Sequence, residues 1–137
     1  MKALITILIL LLVKPVSAQT DTIPKHIQSM FAGTWSYQKK THSNTVVIKF
    51  EPGKDYAVFK DIGTGEAPPV TLHATVKGNL LIIPARREVN DYIEMEIIKG
   101  HLHLRSRPTI WNDEGIPVNS DTVPVETGVF KRVAKDN

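Results

Sequence analysis

Phe31-Ala32-Gly33-Thr34-Trp35-Ser36-Tyr37 is the stretch from which the rest of the chain can be read. Upstream of it, Ile27, Met30 and Phe31 recur at the i, i+3, i+4 spacing of one apolar helix face. Pro24 stands where a first helical turn accepts proline. Downstream, Trp35 and Tyr37 alternate with polar residues, which is the period of a strand. Gly33 marks the change of period, and a residue without Cβ lets the backbone turn tightly there. Trp35 supplies a large flat surface against which an end of a sheet can be packed. The stretch therefore predicts a short helical turn leading into the first strand of an all-β domain.

The period of two persists from residue 34 to the C-terminus. Val46, Ile48 and Phe50 alternate with polar residues, and Gln38 to Asn44 joins them to the first run. Glu51-Pro52-Gly53-Lys54-Asp55 has turn composition and leads into Tyr56–Lys60. Asp61–Pro69 reads as a loop. Val70, Leu72, Ala74 and Val76 then share one face, and Lys77-Gly78-Asn79 turns the chain into Leu80–Pro84. Ile93, Met95 and Ile97 face one way, with Glu94 and Glu96 the other way. Lys99-Gly100 leads to His101–Arg105, and matching the apolar faces sets Ile97 opposite Leu102 and Glu96 opposite His103. Pro108–Val123 reads as one long irregular stretch, and Val125–Val133 is the last strand. Roughly eight short strands with hairpin spacing and almost no helix predict an antiparallel up-and-down barrel, with a two-sheet sandwich as the alternative.

Residues 1–18 have the pattern of a secretory signal peptide. Lys2 precedes an apolar run from Ala3 to Val13, and Val16-Ser17-Ala18 offers small residues for cleavage. The run is about half the ~20 residues of a spanning helix, so no membrane anchor is expected. Removing Lys2 and Lys14 takes Lys and Arg from 17 to 15 against 14 acidic residues, a net charge of +1. No dense basic block exists to track a phosphate backbone, which excludes a nucleic-acid partner. The absence of cysteine removes lipid anchoring at cysteine, disulfides, thiol nucleophiles and thiolate metal sites. A simple leader and no glycosylation sequon point to bacterial export, periplasmic or extracellular. The organisation expected is a signal peptide (1–18), a lead-in and helical turn (19–29), one barrel (30–133) and a tail (134–137).

Over residues 30–133 the chain resembles the lipocalin-like small β-barrels, in particular short exported bacterial ones that end in a Phe/Trp-Lys-Arg-Val strand. Gly33-Thr34-Trp35 matches the Gly-x-Trp that opens the family's first strand, and Phe130-Lys131-Arg132-Val133 matches the last. The resemblance implies that Arg132 lies over Trp35 at the closed end of the barrel. Asn90-Asp91-Tyr92 is similar to the family's Thr-Asp-Tyr signature but falls one strand early, and nothing is carried over from it. The family's role implies a small hydrophobic or amphipathic ligand held in the barrel.

Motifs that carry chemistry are sparse. His101 and His103 share a strand face with Glu96 across the hairpin, a spacing that could chelate a metal. Surface pairs His103–Glu96 and Arg105–Glu94 account for the same residues, so no metal is assigned. No nucleophile elbow or phosphate-cradling glycine loop is present, so neither a catalytic residue nor a cofactor is expected, and the chain is not read as an enzyme. The candidate ligand-binding residues are Trp111 and Ile110 at the barrel entrance, with Tyr56 and Phe59 in the lumen. If Tyr56, Phe59, Phe50 and Phe130 fill that lumen, the alternative is an exported inhibitor or envelope-associated module that meets a protein partner through its loops.

Overall fold

The computed structural model describes residues 22–118 and 125–134. The signal-peptide reading of residues 1–18, part of the long loop and the end of the tail lie outside them. Helix α1 (Lys25–Phe31) is followed by ten strands: β1 (Gly33–Gln38), β2 (Ser43–Phe50), β3 (Tyr56–Gly63), β4 (Val70–Lys77), β5 (Leu80–Ile83), β6 (Tyr92–Ile98), β7 (His101–Arg107), β8 (Ile110–Trp111), β9 (Pro117–Val118) and β10 (Glu126–Arg132). Strands β1 to β7 pair antiparallel in chain order, β10 pairs with β7, and β10 also pairs with β1. The eight form a closed up-and-down barrel rather than two stacked sheets. Closure leaves no long unpaired edge in the barrel wall.

One end of the barrel is shut by the residues that carried the sequence reading. Helix α1 buries Ile27 and Phe31, and Ile23 ahead of it is buried as well. Ala32 is extended, and Gly33 then takes φ +136°, a conformation that suits glycine and few other residues. That turn drops Trp35 into the lumen, where it is fully buried and its indole Nε1–H donates to the Phe31 carbonyl at 2.9 Å. Arg132 pairs with Trp35 across the β1–β10 seam, with its guanidinium 4.3 Å from the indole ring. The same guanidinium donates to the carbonyls of Met30, at 2.9 Å, and Ala32. One arginine thus ties the helix, the first strand and the last strand together. A Cβ on Gly33 would stand 2.9 Å from Arg132 Nη1, so both the turn and the guanidinium require glycine here.

Above this plug the inward rows pack Ile48, Ala57, Ala74, Leu81, Met95 and Leu102 into the lower lumen, all buried. The β6–β7 register sets Ile97 opposite Leu102 and Glu96 opposite His103, as matching the faces requires. Outward, the pairing differs in detail from expectation. Arg105 Nε donates to Glu94 Oε2 and Nη2 to Glu96 Oε2, each at 3.0 Å. The arginine fork reaches both carboxylates, so Glu96 is paired with Arg105 rather than with His103.

Two local expectations are corrected. The join between the first strands narrows to residues 39–42, because the ladder continues through Gln38↔Ser43. The stretch after Pro108 is not irregular throughout: β8 and β9 form a small hairpin with Trp111 opposite Pro117. Its loop is built by Asn112, whose Oδ1 accepts from the N–H groups of Glu114 (3.0 Å) and Ile116 (2.9 Å). Asparagine side chains that bond the backbone two residues on are a turn signal, and Asn112-Asp113-Glu114-Gly115 carries it.

The closed end makes a direct stability prediction. Trp35→Ala should cost about 3–5 kcal/mol in urea unfolding, as a buried aromatic truncation does. Gly33→Ala should cost more than about 1 kcal/mol, since alanine meets both a disfavoured φ and the Arg132 guanidinium. Losses well below these values would mean that the plug is not what holds the barrel shut.

Candidate functional site

The other end of the barrel is open. On β2, β3, β6, β7 and β10 the inward rows that are apolar below become polar as they approach it, whereas β4 ends there in Val70. Val46 is followed towards the mouth by Asn44, Phe59 by Asp61, Ile93 by Asp91 and Leu104 by Ser106. On β10, Gly128 and Glu126 follow Phe130. These residues, with Tyr37, line a cavity of about 630 Å³ whose floor includes Phe59 and Phe130. Lys39 and His42, from the β1–β2 turn, also line it. The cavity is of the size that takes a small molecule.

A bulge helps to form this mouth. Val46 opposes Asp61 and Thr45 opposes Gly63, so Ile62 is an extra residue in β3. Asp61 Oδ1 accepts from the Gly63 N–H at 2.9 Å, and Gly63 has φ +60°. Bulges of this kind bend a strand and end its pairing at barrel rims. Beside it, Asn44 Oδ1 is shut off from solvent with no hydrogen-bond partner among the described residues. An unsatisfied buried carbonyl is costly.

A second concavity, of about 670 Å³, lies on the outer wall. Its floor is the outward row of β5 to β7, with Ile82, Tyr92, Glu94, Arg105 and Arg107, and its far side is the β8–β9 hairpin with Trp111 and Pro117. Arg105 is bonded to both glutamates, which more than offsets burial and raises its already high pKa. Tyr92 is also shifted upward, mainly by burial and then by Glu94, while Arg107 and Arg105 act in the opposite sense.

The four candidate binding residues do not meet. Phe59 lies in the floor of the barrel cavity. Tyr56 points outward at the closed end and stacks on His73, with ring centroids 4.0 Å apart. Trp111 lines the outer groove instead of the barrel entrance, and Ile110 beside it is about half exposed (49%). The reason is positional: β7 ends at Arg107 on its outward face, and the chain then folds back along the outer wall. Gly33, Trp35 and Arg132 do converge, as described above. Sequence reasoning missed Asn44, Asp61, Asp91, Ser106 and Glu126. Extending each period-two row by one step towards the mouth would have found them. Among the described residues, no three His, Asp or Glu side chains are grouped to hold a metal ion.

The fold and cavity together define a class of structure, a closed eight-stranded barrel plugged at one end and open at the other. Comparison with protein-family models, curated proteins and solved structures finds no match for this chain.

Two measurements probe these sites. Asn44→Leu should raise unfolding stability by about 1 kcal/mol, because it removes an unsatisfied buried polar atom, while stripping a polar group from the mouth. A loss of stability would show that Asn44 is satisfied in solution. In an alkaline absorbance titration, one of the three tyrosines should ionise later than the ordinary value near 10. Tyr92→Phe should remove that late component. A phenol that holds its proton more tightly when folded adds stability below pH 10 that is lost as pH rises past it.

Proposed function

We propose that the chain is an exported, lipocalin-like binding protein that holds a small amphipathic molecule in the upper half of its barrel. One observation carries this reading: the lower lumen is occupied by buried apolar side chains, while the upper lumen keeps a cavity of about 630 Å³. An eight-stranded barrel is just narrow enough for side chains to fill completely, so a retained cavity is not forced by the fold. The lining supports an amphipathic rather than a wholly apolar guest. Its apolar part would rest on Phe59, Phe130, Ile93 and Leu104, and its polar end among Asn44, Asp61, Asp91 and Ser106. Binding would draw on apolar area removed from water, roughly 25 cal/mol per Å² before the cost of association.

The lipocalin-like part of the reading rests on Gly33, Trp35 and Arg132 acting as one unit, and export rests on the leader pattern of residues 1–18. The role proposed is binding without turnover. A second reading, an exported module that meets a protein partner, is favoured by exposed apolar residues at the open end and on the β8–β9 hairpin. Val70, Val89, Ile110 and Ile116 are all about half exposed, at 50%, 53%, 49% and 53%.

Native mass spectrometry of the protein isolated from its own host separates the two. The carrier reading expects a co-purifying molecule on the order of a few hundred daltons, in keeping with the cavity. That mass should be lost or reduced in Asn44→Leu while the barrel stays folded. A stoichiometric protein partner with no small mass would favour the second reading instead, and a bare chain would count against both.

A further inference from the structure

We infer that the outer-wall groove is a binding site in its own right, separate from the barrel cavity, for a small flat apolar molecule carrying one negative charge. The argument begins with its two arginines, which stand two residues apart on the same face of β7 and differ in state. Arg105 is matched: its guanidinium is held by Glu94 and Glu96, each at 3.0 Å. Arg107, opposite Tyr92 in the β6–β7 ladder, is not. Its Nε is shut off from solvent and has no hydrogen-bond acceptor among the described residues. The guanidinium cannot release its proton, lines the groove and forms no ion pair among the described residues, so its charge is left for an anion bound there. The planar fork of arginine is met bidentately by a carboxylate or a phosphate.

The rest of the groove limits what that anion is attached to. Ile82, Tyr92, Trp111 and Pro117 make the remaining walls largely apolar and aromatic. Arg105 is already matched by Glu94 and Glu96, so Arg107 alone is left to balance a ligand's charge, and the second charge of a dianion such as a phosphate ester would have no partner among the described residues. The volume of about 670 Å³ accommodates a body of two or three fused or linked rings. An aromatic monocarboxylate meets all three requirements, and Trp111 gains a role that packing alone does not require.

The test uses the full chain and 2-naphthoate as probe, followed by the two indole N–H resonances in ¹H–¹⁵N spectra. Trp111 should shift saturably and Trp35, buried at the closed end, should not. The neutral isostere 2-naphthamide should bind about tenfold to a hundredfold more weakly, the loss expected for a charge-assisted hydrogen bond. Arg107→Gln should cause the same loss, while Asp61→Asn, in the barrel cavity, should leave affinity for 2-naphthoate within about twofold, as distant sites do. The inference is overturned if the Trp111 resonance is unmoved at millimolar probe, or if acid and amide bind alike. It is equally overturned if Asp61→Asn weakens binding and Arg107→Gln does not, which would put the probe in the barrel. Should Arg107→Gln fail to fold, the acid–amide comparison on the unaltered chain decides the matter.

Discussion

The contact of the Arg132 guanidinium with Trp35 is the constraint on which the rest of the structure depends. A barrel must bring its first and last strands together, and here those strands are separated by nearly the whole described chain. The seam pairs Trp35 with Arg132, and the same guanidinium reaches back to carbonyls at the end of α1. It therefore fixes the register of closure and the position of the plug in one step. A cation over an indole face adds about 0.5–2 kcal/mol according to how dry it is. That is a modest stabilisation, and the larger part comes from the burial of Trp35, Phe31 and Ile27 beneath it. The arginine acts mainly by specifying which arrangement is built. Gly33 is the counterpart of that specificity, since its turn and its missing side chain make room for the guanidinium.

Away from the seam, the barrel is uneven along its axis. Near the plug the inward positions carry apolar side chains, and near the mouth five of the rows end in Asn44, Asp61, Asp91, Ser106 and Glu126. Apolar residues there would continue the pattern and bury more apolar surface. The polar rows instead leave a cavity and an Asn44 carbonyl with no partner among the described residues. Departures from local consistency of this kind are concentrated at functional positions in natural proteins. The open end is where a role other than folding has the most to work with.

Strands β6 and β7 serve both concavities. Ile93, Leu104 and Ser106 line the lumen, while Tyr92, Glu94, Arg105 and Arg107 form the floor of the outer groove. Alternation makes this possible, because neighbouring residues of one strand point to opposite faces of the sheet. It also means that a one-residue slip in β6 would exchange the two linings. The Arg105 link to Glu94 and Glu96 lies across these strands and holds the register from outside, as the apolar rows do from within.

The strands, their faces and the β6–β7 register were legible in the sequence because side-chain alternation is local and repeats every two residues. The plug was legible for a similar reason: Gly33, Trp35 and the helical spacing of Ile27 and Phe31 lie within a few residues of one another. What only the tertiary structure decided were the features set by distant segments meeting. The β3 bulge at Ile62 depends on how β2 and β3 align, and a turn-like Asp61–Gly63 run does not reveal it. Trp111 could be placed on the long connection but not on a side of the wall. Its position follows from where β7 ends and from the Asn112 turn that folds the chain back. Likewise, Arg105 reaches both glutamates only because strand twist and side-chain length bring a diagonal neighbour within range. Periodicity determines which face a residue occupies; which residues share a cavity depends on closure, and closure is a property of the whole chain.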